Sequence, residues 1–267
     1  MGSHSASVAM HPAEPAVPHV LVADDNPVSL RFFADALAQL GLSCALANDG
    51  REAVAQAQHA SFDLLLLDAR MPGIDGAQAL AQIRGGSGPS RDVVALATSA
   101  DASAAVRREL LQAGFVDVIA KPMRLETLRT ALARRLPELT GEAPTQAPPP
   151  TEAALDDARA LIAAGGDAGI VAALRGLLVG ELDALPAEFE EMAARADAAA
   201  LRDRLHRLDA SAGFCGAPGL ARAGAQLRLA LETQSGWPHA AAADFLAVCA
   251  EVRALLVRPG VGGTTTG

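Results

Sequence analysis

Residues 62 to 76 read Phe-Asp-Leu-Leu-Leu-Leu-Asp-Ala-Arg-Met-Pro-Gly-Ile-Asp-Gly. Leucines 64 to 67 form an unbroken apolar run, the pattern of a strand buried on both faces in a parallel sheet. Asp68 stands where that strand ends. Met71-Pro72-Gly73 then breaks regular structure, and Asp75-Gly76 opens the next segment. Open α/β sheets place their chemistry at the carboxyl ends of parallel strands. Taken alone, Asp68 reads equally as an aspartate that starts a turn, so its weight comes from the sequence around it.

Outward from this run, residues 19 to 138 alternate short apolar stretches with amphipathic ones. The pattern predicts strands at His19–Ala23, Leu42–Ala47, Val93–Thr98 and Val116–Ala120 beside the leucine run. Helices are predicted from the Asp24-Asp25-Asn26-Pro27 turn to about Leu40, from Gly50 to His59, and over 76–84, 102–113 and Arg124–Leu136. Five βα units predict a doubly wound, five-stranded parallel sheet.

The strand ends then carry a set of groups. Strand one ends in Asp24 and Asp25, strand three in Asp68, strand four in Thr98-Ser99 and strand five in Lys121-Pro122. Converging carboxylates repel one another unless a hard divalent cation with oxygen ligands lies between them, and Mg²⁺ suits such a site. A hydroxyl and an ammonium beside it suit an incoming phosphoryl group, with Asp68 as nucleophile. Lys121 is the only lysine in the chain. Its compact point charge differs from every arginine here, and the company of the other strand-end groups outweighs the alternative of a solvated lysine before a loop proline.

These residues together resemble the receiver domain of bacterial response regulators over residues 18–138. The resemblance rests on Asp24-Asp25, on Asp68 followed by Met71-Pro72 and Asp75-Gly76, on the strand-four hydroxyl, and on Lys121-Pro122. It implies a flavodoxin-like fold in which Asp68 accepts a phosphoryl group from a phosphohistidine. Mg²⁺ would be held by Asp24, Asp25 or both, by Asp68 and by a backbone carbonyl near Arg70. Lys121 and the hydroxyl would bind the phosphoryl oxygens. Counting back from Lys121 puts that hydroxyl on Ser99, and counting forward from Asp68 puts it on Thr98. Ser99 is preferred because the small Ala100 follows it. The strand-five position where such domains often carry an aromatic is Val118.

Residues 139–151 form a Pro-rich stretch, expected to be an extended spacer reaching roughly 40 Å. Beyond it, residues 152–258 have helical periodicity and no strand pattern, with helices near 153–164, 168–193, 197–214, 218–232 and 239–257. Gly165-Gly166, Gly216 and Gly236 punctuate them, and Pro186 is expected to kink or split the second. The expected architecture is an antiparallel helical bundle. In the third helix Leu201, Leu205, Leu208, Ala212 and Cys215 make the buried stripe. His206 lies off that stripe and is expected to face solvent, with Ala210 and Gly213 leaving room for another protein. An ordinary surface histidine is the plainer reading.

Residues 206 to 220 are similar to the signature of histidine phosphotransfer domains, through His206, Leu208, Ser211, Ala212, Gly216, Ala217 and Leu220. The resemblance implies that His206 carries a phosphoryl group. Asp209 and Ala210 stand where that family has lysine and glycine. A carboxylate about 4 Å from a phosphohistidine costs about 1 kcal/mol in water, and Arg202 and Arg207 are candidates to offset it.

Composition narrows the remaining classes. A net charge of −9 argues against a nucleic-acid surface. Residues 1–17 and 259–267 are expected to be loose tails. Much of the 51% hydrophobic content is alanine, and no charge-free stretch is long enough to cross a bilayer. Cys44, Cys215 and Cys249 are scattered, without metal-ligand spacing, and fit a reducing cytoplasm. The expectation is a cytoplasmic phosphoacceptor in two-component signalling rather than a turnover enzyme. Its expected partners are a sensor histidine kinase or another phosphorelay protein, and the spacer lets Asp68 and His206 meet within one chain. The alternative is an interaction protein whose bundle docks a kinase or receiver without phosphotransfer. A Mg²⁺ phosphohydrolase would want an acidic residue two positions after the nucleophile, where Arg70 stands.

Overall fold

The computed structural model describes residues 17–136, 154–234 and 236–257. The expected spacer and both tails, apart from Val17, lie outside them. Five parallel strands, β1 (His19–Ala23), β2 (Ser43–Ala47), β3 (Leu64–Asp68), β4 (Ala95–Ser99) and β5 (Asp117–Ala120), pair in the order β2-β1-β3-β4-β5. Every residue of β3 is buried. The leucine run is explained by this: Leu64 and Leu66 enter the core on one face of the sheet, Leu65 and Leu67 the core on the other.

Helices α1 (Pro27–Gln39) and α5 (Leu125–Ala133) cover the first face. Helices α2 (Gly50–His59), α3 (Gly76–Gly85) and α4 (Ala104–Gln112) cover the second. The turn residues set their starts: Asn26, Asp49 and Ser103 cap α1, α2 and α4, and Asp75 closes a capping box with Gln78 on α3. Gly76 has a steric reason, since a Cβ there would lie 2.2 Å from the backbone oxygen of Asp68. Only glycine lets α3 begin directly against the end of β3. Strand β4 starts at Ala95 rather than Val93 because a turn, closed by the Val93 N–H on the Ser90 carbonyl, holds Val93 out of the ladder.

The second half is helical, with α6 (Asp157–Ala163), α7 (Ala168–Arg195), α8 (Ala198–Phe214), α9 (Pro218–Thr233) and α10 (His239–Val257). Helices α7 to α10 pack in a ring, each on the next and α10 back on α7, while α6 lies on α7 and α8. The first helix starts four residues later than its periodicity suggests, because Asp156 caps it. Helix α7 continues through Pro186 and is not split there. The stripe of Leu201, Leu205, Leu208, Ala212 and Cys215 is buried as expected.

The two halves are joined by packing as well as by chain. Helix α1 touches the sheet on one side and α7 and α8 on the other, so one continuous apolar cluster runs from β1 and β3 into the bundle. Phe32 stacks on Phe214, with ring centroids 4.3 Å apart and planes 24° from parallel. Asn26 uses its carbonyl oxygen to cap α1 through the Val28 and Ser29 N–H groups. Its amide nitrogen donates to the Arg207 carbonyl at 2.7 Å and the Ser211 hydroxyl at 2.8 Å. A Cβ on Gly213 would fall 2.3 Å from the Pro122 ring. The small residue on α8 is therefore what lets the halves close.

Gly213→Leu should wedge them apart while leaving helix content unchanged, because leucine is the better helix former. Small-angle scattering of the full chain should show a larger radius of gyration with an unaltered far-ultraviolet spectrum. An unchanged radius would mean that the Gly213–Pro122 approach does not hold the halves together.

Candidate functional site

The carboxyl ends of β1, β3 and β5 bring Asp24, Asp25, Asp68 and Lys121 together. Asp24, Asp68 and Lys121 are buried, and Asp25 is half-buried. The Lys121 ammonium lies 2.6 Å from Asp24 Oδ2 and 2.7 Å from Asp68 Oδ2. The lysine is thus not a solvated neighbour of the loop. One carboxylate oxygen from each of Asp24, Asp25 and Asp68 lies within 4.8 Å of the others.

Burial pushes the Asp68 carboxyl up, to about 7, against the pull of Lys121. Burial would lower the Lys121 ammonium, but Asp24 and Asp68 outweigh it and hold the group charged. Asp25 is also raised by burial, with Arg207 pulling the other way. The Arg70 N–H faces Asp68 Oδ1 at 3.4 Å.

The two strand-four hydroxyls differ in setting. Thr98 pairs in register with Asp68, and its carbonyl accepts the Ala69 N–H. Ser99 donates its hydroxyl to the Asp101 carbonyl, and its own carbonyl accepts the Lys121 N–H at 2.7 Å. Both are buried at the strand end.

His206 is half-buried, and not open to solvent in the way its place off the α8 stripe suggests. It faces the strand ends, and lines a cleft of about 180 Å³ with Asp25, Arg70, Met71, Pro72, Asp203 and Arg207. The reason is that the surface opposite the bundle's core is occupied by the sheet domain. Burial lowers its imidazole to about 4, and Lys121, Arg70, Arg228 and Arg207 push the same way. The imidazole is therefore neutral near pH 7, with a free nitrogen lone pair.

Asp209 also has a partner other than those its neighbours in sequence suggest. Its charge is met by Arg228, 2.6 Å away on α9, and not by Arg202 or Arg207. Arg207 instead reaches across to Asp25, with Nη1 3.2 Å from Oδ2. Asn26 was readable only as a helix cap, and its second role as the clip on α8 carries no local sequence signal. Behind that clip Ser211 bonds the half-hidden carboxyl of Glu181, which in turn faces the buried Arg204.

Residues 20–133 match the family described as the response regulator receiver domain. Among curated proteins, the sensor protein GacS of Pseudomonas syringae pv. syringae is 35% identical over 221 residues, covering 78% of this chain and 24% of that protein. The signal transduction histidine-protein kinase BarA of Escherichia coli strain K12 is 30% identical over 205 residues, covering 74% and 22%. The chain therefore spans about a quarter of the length of these relatives. The shared stretch is too long to fit within the sheet domain and runs into the helical bundle. Among solved structures, the receiver domain of a sensor histidine kinase from Pseudomonas aeruginosa, with a magnesium ion coordinated in its cleft, is 35% identical. It covers 45% of this chain and 98% of its own, with a TM-score of 0.42.

The His206 environment has a titration signature. Its folded value lies below the ordinary 6.5, so the closed form binds fewer protons. That contribution to closure is full above pH 6.5 and is lost as pH falls towards 4. In the full chain the His206 ring signal should titrate near pH 4 by NMR, and in Gly213→Leu it should return towards 6.5. Titration near 6.5 in the unaltered chain would place His206 in water.

Proposed function

Residues 20–133 are a response regulator receiver domain, and from that premise we propose that the chain is a phosphorelay module in which Asp68 and His206 exchange a phosphoryl group. The reading rests on one observation above all: His206 shares a cleft with Asp25 and Arg70 at the strand ends that hold Asp68. The donor to Asp68 would be a phosphohistidine on a kinase or another phosphorelay protein, and the setting cytoplasmic. No single described helix is long and apolar enough to cross a membrane.

The donor set fits a magnesium ion. Three carboxylate oxygens approach within 4.8 Å, two of the three side chains are buried, and hard oxygen ligands are what this cation takes. Asp24, Asp25 and Asp68 would hold it, with the backbone carbonyl near Arg70 as a further ligand. Bound there, the ion would offset negative charge on the carboxylates and on phosphoryl oxygens.

The protein's own groups account for the rest. An Asp68 carboxylate oxygen attacks phosphorus as the donor's P–N bond breaks, and the donor imidazole keeps the electron pair. In the next exchange the unprotonated nitrogen of His206 attacks the same phosphorus, forming P–N while the P–O bond to Asp68 breaks. Asp68 leaves as a carboxylate beside Lys121, whose ammonium is fixed to receive that charge. Lys121 and a strand-four hydroxyl, Ser99 rather than Thr98, would bind the phosphoryl oxygens. Low basicity keeps His206 unprotonated and able to attack.

The test is to label the full chain from radioactive acetyl phosphate with magnesium. The unaltered chain should carry a base-labile aspartyl label and an acid-labile histidyl label. His206→Gln should retain only the first, and Asp68→Asn should carry neither. Persistence of full labelling in Asp68→Asn would remove the aspartate assignment. An absent histidyl label would leave the bundle as a docking module without transfer.

A further inference from the structure

Closing the bundle onto the receiver delivers one cation that the receiver lacks by itself. Lys121 belongs to the sheet domain and serves Asp24 and Asp68 whether or not the bundle is present. Asp25 is met instead by Arg207 from α8, with Nη1 3.2 Å from Oδ2. The guanidinium cannot retreat with its backbone while the halves are closed. Asn26, the residue next to Asp25, holds the Arg207 carbonyl at 2.7 Å, and Gly213 lies against Pro122 on the same helix.

We infer that Arg207 competes with a divalent cation for Asp25, so that metal occupancy and closure of the bundle oppose one another. The inference rests on the reading of Asp24, Asp25 and Asp68 as a metal site. A cation taking Asp25 as ligand must displace the guanidinium or sit beside a like charge, and both weaken its binding. By reciprocity the bound cation weakens closure by the same factor. Arg207 is in this sense a positioning residue: it holds the receiver's third carboxylate while the metal is away, and yields it when the metal arrives.

Calorimetric titration of the full chain with magnesium chloride tests this. Arg207→Ala should tighten magnesium binding about tenfold by removing one nearby positive charge, and Arg207→Lys should stay near the unaltered value. Gly213→Leu leaves all charges in place but lifts α8 from the site, so it should tighten binding to a similar degree. The double variant should gain no more than either single one, because both remove the same contact. Unchanged or weaker binding in Arg207→Ala, or fully additive gains in the double variant, would overturn the proposal. Asp24→Asn separates this from failure of the metal reading. If the unaltered chain binds no magnesium, or Asp24→Asn binds it undiminished, the metal site itself is wrong. If Asp24→Asn loses binding and Arg207→Ala changes nothing, only the competition fails.

Discussion

Three carboxylates held within 4.8 Å of one another set the terms for everything around them. Two of the side chains are buried, where charges interact far more strongly than in water. Lys121 answers two of them through one ammonium, and this is a task for a lysine. A guanidinium is planar and broad, and would not fit between two acceptors 2.6 and 2.7 Å away at the end of a crowded strand. Removing one partner of such a buried pair costs on the order of 3–5 kcal/mol, mostly from the charge left behind. The pair is thus weak evidence of stability but strong evidence of a constraint. The third carboxylate, Asp25, is answered by the other half of the molecule.

The other half is brought there by α1. A helix on the face of a sheet buries one stripe, but α1 buries Val28, Ser29, Leu30, Phe32, Phe33, Ala36 and Leu37, which go too far around its axis for one face. The surplus packs on α7 and α8 and is anchored by the Phe32–Phe214 stack. Since α1 is capped by Asn26, immediately after Asp25, a contact made for packing also fixes how α8 meets the site. Packing and chemistry share one turn of chain.

Much of this was legible in the sequence. The buried leucine run, the turn chemistry at Asn26 and Asp75, and the acidic and basic strand ends each depend on neighbours in sequence, and they fold as read. Short-range errors have short-range causes, such as the Ser90 turn that delays β4 and the Asp156 cap that delays α6. The surroundings of His206 were not legible in the same way. Helical periodicity identifies the face it occupies but not what covers that face, because the covering residues lie far away in the chain; Asn26 and Arg207 are 181 positions apart. The breadth of the apolar face on α1 was the one available signal that a second layer lies over it.

The same long-range contacts resolve the oddity of Asp209. Read locally, it is a negative charge one turn from the proposed acceptor histidine. In the fold it is half of a pair with Arg228, and a pair of opposite charges 2.6 Å apart has a field that falls off much faster than that of a lone carboxylate. Burial does most to lower the basicity of His206, and the charges of Lys121, Arg70, Arg228 and Arg207 act the same way. The positive field within that buried setting serves both requirements of the proposed transfer. It disfavours a proton on the imidazole, which would block the attacking lone pair, and it favours the anionic phosphoryl group that the imidazole would receive. A lysine in place of Asp209 would add to that field but leave Arg228 facing a like charge. The pairing with Arg228 is therefore a reason for the bundle to keep its aspartate, and the departure from the phosphotransfer signature is not by itself a loss of chemistry.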